Sequence, residues 1–251
     1  MTILLRLNKL SFAIPLLVLT TAGTVYAQKE AKRQLERKNS SAQEVQRSYE
    51  RREADGLKVT IYRREGKEFH PVNPGQSYTT GDRIKVKFQS NFDGYVYVIN
   101  LTPDGERRLL FPRPLARRNN IRAGQAHDIP FSGDFSFDDK AGLEVLQILM
   151  SRSQVDFLEA VLDRGALKAT HLSLDKPAQR SLQKLTGKPD RLKGSGIATQ
   201  TQAKRTAGLQ TRELRLESQK EGSIVILAGA KGTSRFAPGE VSIFEVRLNH
   251  Y

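Results

Sequence analysis

The sequence predicts a mainly β protein on three observations. Apolar and polar residues alternate at period two in several short runs. Segments bearing Gly, Pro, Asn and Asp separate those runs. One stretch alone, 153–167, carries a strong helical period. Seven to nine short strands in that pattern argue for an antiparallel, immunoglobulin-like β-sandwich with one helix.

The first residues read as an export signal. Arg6 and Lys9 supply a positive region, and Leu10 to Leu19 forms an apolar stretch short for a bilayer. Val25-Tyr26-Ala27 places small residues where a signal peptidase inspects the chain. Cleavage after Ala27 is the expectation, with 1–27 as signal peptide and a periplasmic or secreted product; an uncleaved anchor is the alternative. Residues 28–55 are rich in Lys, Arg, Glu, Gln and Ser, with Leu35, Val45 and Tyr49 as their sizeable apolar side chains. They read as a solvated helix or disordered tether.

The domain is expected over 56–251. Leu57, Val59 and Ile61 alternate with polar partners as a first strand, and 69–78 reads as a loop. Arg83 to Gln89 alternates again, with Ile84, Val86 and Phe88 on one face. Tyr95 to Leu101 is almost wholly apolar or aromatic, the mark of a central strand covered on both faces. Thr102-Pro103-Asp104-Gly105 is a β-turn sequence, and Arg107 to Phe111 returns as a strand stopped by Pro112. The three strands together read as a β-meander. Residues 125–130 and 143–150 follow as strands, and Phe135 and Phe137 alternate with polar neighbours.

Val155, Leu158 and Leu162 predict a helix over 154–163, with Ser153 as its N-cap. Residues 168–221 read as a low-order basic insertion with a possible short helix at 178–185; 188–212 has no periodicity. From His171 to Glu221 there are eleven Lys and Arg against five Asp and Glu. Closing strands are expected within 223–248.

The net charge of +14 favours anionic partners: nucleic acid, acidic lipid head groups, lipopolysaccharide or acidic glycans. Having no Cys excludes disulfides, thiol catalysis and thiolate metal sites. The four His residues, 70, 127, 171 and 250, are not paired at helical metal-site spacing. His127 and Asp128 are neighbours, which a strand points to opposite faces. Asp134, Asp138 and Asp139 lack the glycine-punctuated spacing of a calcium loop. No nucleophile elbow or phosphate loop occurs, so no enzyme, cofactor or metal is expected. Tyr95, Tyr97 and Phe92 read as core rather than as a stacking platform. Arg113, Arg117, Arg118 and Arg122 around Asn119 and Asn120 form the candidate anion-binding loop, since guanidinium groups grip carboxylates and phosphates bidentately.

One ordered string of motifs carries a resemblance. Gly81-Asp82, Ser90 to Asn100, Pro103-Asp104-Gly105, Leu110-Phe111-Pro112 and Asn120 to Gly124 together resemble a bacterial family, the domain of unknown function 4384. The likeness covers about 78–150. It implies an exported or envelope-associated β-rich module, often joined to other domains, and implies no activity. The helix, the basic insertion and the last strands depart from the pattern. The expectation for function is a non-catalytic binding or scaffold module of the cell envelope, its partner an envelope protein or an anionic polymer. The rival reading is a polyanion-binding protein using the arginine loop and the insertion.

Overall fold

The computed structural model describes residues 19–73, 75–113, 119–165, 171–186, 196–199, 210–211, 214–218, 222–228, 235–237 and 239–251. The chain divides into two compact units, Met1–Ser41 and Ala42–Tyr251. Helix α1 (Leu19–Glu50) starts in the first. There it is solvated as expected: Leu35 is exposed, and Arg33 meets Glu30 at 4.0 Å one turn away. No helix among the described residues is long and apolar enough to cross a membrane.

The second unit begins fourteen residues earlier than the sequence suggests, at Ala42 rather than 56. Its strands are β1 (Gly56–Glu65), β2 (Glu68–Val72), β3 (Ser77–Tyr78), β4 (Arg83–Ser90), β5 (Gly94–Leu101), β6 (Arg107–Phe111), β7 (Asn120–Ile121), β8 (Ala126–Ile129), β9 (Phe135–Ser136) and β10 (Gly142–Ser151). After α2 (Asp156–Arg164) come β11 (Leu172–Ser173), α3 (Lys176–Thr186), β12 (Gly196–Thr199), β13 (Gln210–Thr211), β14 (Leu214–Ser218), β15 (Ser223–Ala228) and β16 (Glu240–His250). The expected loop at 69–78 is therefore mostly strand, because Glu68–Val72 folds back on β1 as a hairpin. The described parts of the basic insertion are also ordered: β12 pairs with β16 and β14 with β15. The rest of that insertion lies outside the described residues.

The strands form two sheets packed face to face, the sandwich that the alternation implied. The first sheet runs β14-β15-β1-β4-β8, with β2 beside β1 and β9 beside β4. The second runs β11-β6-β5-β10-β16-β12, with β7 on β5 and with β3 and β13 parallel to β16. The parallel pairs make it mixed rather than purely antiparallel.

The meander reading is overturned at its first connection. β4 pairs with β1 in one sheet and β5 with β10 in the other, so of the expected meander's two connections β5–β6 alone is a hairpin. The reason lies in Ser90 to Gly94. Asn91 turns inward to bind the Gly56 amide at 2.7 Å, and Phe92 is buried between the sheets. A Cβ on Gly94 would stand 2.4 Å from the Ser151 carbonyl oxygen, so only glycine lets the chain step across there.

Period two then sorts the side chains into layers. Val59, Ile61, Val86 and Phe88 of the first sheet meet Val96, Val98, Ile148 and Phe244 of the second in the main core. Each such buried side chain contributes about 1.5–3 kcal/mol. The opposite face of β5 packs on the helices, where Tyr97 and Ile99 meet Leu158, Leu162 and Leu182. A central strand with both faces covered is what Tyr95 to Leu101 suggested. On the outer face of the first sheet, Val45 and Tyr49 of α1 seat on Val225 and Leu227 of β15, and the Tyr49 hydroxyl donates to the Gln89 carbonyl of β4 at 2.9 Å. These two residues, read as part of a tether, belong to the core.

The N-cap of helix α2 is Val155, not Ser153, and its own side chain makes no capping hydrogen bond. Its first turn instead carries Asp156 and Glu159, which suit the positive end of the helix dipole. In α3 the Asp175 carboxylate accepts the Ala178 amide at 2.9 Å, a regular N-cap.

Candidate functional site

Beyond the cover of α1, the outer face of the first sheet is basic, with Arg83 exposed and Lys58, Lys85 and Lys87 half-buried. The inward set of β1 and β4 is apolar, so the alternate positions must face out. On β1 these are Lys58, Thr60, Tyr62 and Arg64, and on β4 they are Arg83, Lys85, Lys87 and Gln89. Antiparallel register sets Thr60 opposite Lys87 and Tyr62 opposite Lys85. Along β4 the cations recur every second residue, about 6.6 Å apart.

Aromatic rings alternate with these cations. Lys85 Nζ lies 4.6 Å from the Phe69 centroid, Arg64 lies 5.3 Å from the same ring, and Lys87 Nζ lies 5.3 Å from Tyr62. The carboxylates on this face are few. Asp134, itself buried, accepts Arg83 at 2.6 Å and Arg64 at 3.3 Å. Asp128 reaches Lys87 at 3.8 Å. Among the described residues no carboxylate pairs with Lys58 or Lys85. Between Lys58, Thr60, Tyr62, Lys87, Gln89 and Ser223 lies a groove of about 180 Å³. Its floor is polar: the Thr60 and Ser223 hydroxyls hydrogen-bond to each other at 2.8 Å. Such an arrangement can hold an anionic chain by ammonium groups and stack its planar or apolar parts on Tyr62 and Phe69.

The arginine loop is less coherent. Arg113 stacks its guanidinium 4.6 Å from the centroid of the exposed Phe131 ring. Arg122 is exposed at the turn after β7, where its carbonyl oxygen accepts the Gln125 amide. β6 and β7 pair with one edge of β5 at Val98 and Gly94, four residues apart. Arg117 and Arg118 lie outside the described residues. Asn119, placed by sequence among the arginines, is buried and donates to Glu159 instead.

Other candidates resolve into structure. Tyr97 and Phe92 are core, as expected. The Tyr97 hydroxyl accepts the Val155 amide at 3.0 Å and donates to Glu159, and burial, reinforced by Glu159, pushes its pKa well up. His127 stacks on Phe88 inside while Asp128 faces out opposite Lys87, the opposed orientation that adjacent strand positions impose. Burial lowers the His127 pKa. Asp134 is occupied by two arginines, and the Asp138 carboxylate accepts the Lys140 amide.

The basic face itself was legible only as the polar half of two amphipathic strands. Lys58-x-Thr60-x-Tyr62 and Arg83-x-Lys85-x-Lys87 signal a solvated surface. That they lie side by side follows from β1–β4 pairing, which joins residues about 25 positions apart.

The family model described as Domain of unknown function (DUF4384) matches residues 77–154, from β3 to the start of α2. The matched segment contains β4 of the first sheet and β5, β6 and β10 of the second, so it spans the main core. No curated protein matches the chain. No solved structure matches it either.

Proposed function

We propose that this chain is a non-catalytic, exported module of the bacterial cell envelope that binds an acidic glycan or lipopolysaccharide over the outer face of its first sheet. One observation carries the reading: Lys58, Lys85 and Lys87 stand with Tyr62 and Phe69 on one sheet face, where Asp134 and Asp128 meet Arg64, Arg83 and Lys87 and, among the described residues, leave Lys58 and Lys85 without an acidic partner. Arg6, Lys9, the apolar run to Leu19 and Val25-Tyr26-Ala27 support export. The net charge of +14 supports an anionic partner. Arg113, Arg117, Arg118 and Arg122 remain a second anchoring point in this reading.

Heparin affinity chromatography of the full chain tests it. Binding by several ammonium groups weakens steeply with salt, since each contact releases counterions. The triple substitution Lys58→Gln, Lys85→Gln, Lys87→Gln is expected to elute at clearly lower salt, with thermal stability unchanged. Replacing the four loop arginines with Ser is expected to move elution less. Unchanged elution of the lysine triple overturns the reading.

A further inference from the structure

A second cleft lies between the sheets, beside the start of β4. Here β9 and the start of β4 stand off from β5, β6 and β10, leaving a cleft of about 210 Å³. Ile84, Leu110, Leu146, Leu248, Phe135 and Phe137 make its apolar part. Asn100, Arg108, Glu144 and Lys140 belong to its polar part, together with Thr102, Asp104, Ser136, Asp138 and His171.

The polar groups are incompletely satisfied in a way that has a sign. Asn100 uses its amide nitrogen to donate to Glu144 Oε2 at 2.9 Å, which leaves Asn100 Oδ1 and the Glu144 carboxyl as acceptors on one side. Asn100 Oδ1 is buried and has no partner among the described residues. Directly across the strand pair, Arg108 opposes Asn100. One Arg108 amino group is held by Glu106, but its Nε is buried and likewise without a partner. Lys140, an exposed residue before β10, adds a second cation to the lining. Burying such groups unpaired costs about 1–3 kcal/mol each, so the cleft is complementary to something that supplies both a donor and an acceptor.

Burial is also the main reason that the Glu144 carboxyl is held above its ordinary range, with Asp138 adding to it; Asn100, His250 and Arg108 pull the other way. A cation seated beside Glu144 would relieve that. The volume corresponds to roughly seven waters at 30 Å³ each, the scale of one small amino acid.

We propose that this cleft binds a small zwitterion of the amino-acid class, its ammonium on Asn100 Oδ1 and Glu144, its carboxylate on Arg108 Nε and Lys140, and its side chain on the apolar walls. The site is separate from the basic sheet face and does not depend on that reading.

Isothermal titration of the full chain with L-valine, L-valinamide and 3-methylbutanoate tests the proposal. These probes carry both charges, the cation alone and the anion alone, on nearly the same skeleton. L-Valine is expected to bind at least tenfold more tightly than either analogue. Glu144→Gln is expected to weaken L-valine at least tenfold, and binding should be lost as pH falls and the Glu144 carboxyl protonates. Absence of L-valine binding, or an analogue binding equally well, overturns the proposal. So does a folded Glu144→Gln variant that binds like the parent. Should that variant not fold, the three-ligand comparison on the parent chain still decides.

Discussion

Arg152 and Asp55 form a two-pronged ion pair that ties the sheets together. Nε and Nη2 of Arg152 each stand 2.8 Å from one oxygen of the Asp55 carboxylate. Asp55 precedes β1 of the first sheet, and Arg152 follows β10 of the second. Asp55 also accepts the Phe236 amide at 2.8 Å, and its carbonyl accepts the Ala228 amide at 2.7 Å. The Asp55 side chain is 4% exposed and that of Arg152 35%. Removing one member of a buried pair costs about 3–5 kcal/mol, and the partial exposure of Arg152 argues for the lower end. Asp55→Ala is expected to lower unfolding free energy by about 3 kcal/mol in urea. A double-mutant cycle with Arg152→Ala should give a coupling near 2 kcal/mol, and additivity would contradict the pairing.

Asn91 clamps the end of α1 to the sandwich. Its oxygen accepts the Gly56 amide, and its nitrogen donates to the Tyr49 and Ala54 carbonyls, both at 2.8 Å. Asn91→Ala leaves three buried backbone groups short of a partner, at about 1–3 kcal/mol each. Limited proteolysis should then cut within 42–55 faster than in the parent. Unchanged protection there would show that Val45 and Tyr49 alone hold the helix.

Tyr97 does for α2 what a capping side chain usually does. Its hydroxyl accepts the Val155 amide and donates a hydrogen bond to Glu159. Tyr97→Phe keeps the ring packing and removes both bonds, an expected loss of about 2 kcal/mol in thermal or urea unfolding. Hydrogen exchange should quicken first at Val155 to Glu159. Uniform acceleration across both sheets would contradict a local anchoring role.

Alkali should unfold the second unit through its tyrosines. Burial raises the pKa values of Tyr49 and Tyr78 to about 12, from 10.0. Each hydroxyl is protonated in both states below pH 10. Above it the unfolded chain loses protons first, so stability falls as pH rises from about 10 through about 12. Absorbance of tyrosinate should therefore rise together with loss of far-ultraviolet circular dichroism. Tyrosinate formation complete by pH 10.5 in a folded chain would contradict the burial.

What was legible in the sequence follows one rule: a strand writes its two environments at alternate positions. The bounds of β4, β5, β6, β8 and β10 and the double burial of β5 were therefore readable in place. So was α2 from its apolar period, though not its start, because Tyr97 caps it from 58 positions away. The motif string over 81–124 pointed to the family whose model matches 77–154.

Pairing across distance was not readable. Whether β4 and β5 form a hairpin or enter different sheets depends on Asn91 finding Gly56 and on the missing Cβ of Gly94, neither of which has a local period. The last turns of α1 have too few apolar residues to announce a core face, yet two suffice, since β15 supplies Val225 and Leu227 opposite them. Charge behaved alike. Composition by itself determined that the chain is strongly basic and β-rich, because those are sums and periods along one chain. Tertiary structure alone decided that lysines of β4 stand beside an aromatic of β1, and that Asn100 and Arg108 share a cleft with Glu144, because juxtaposition across strands is a property of register and layer packing.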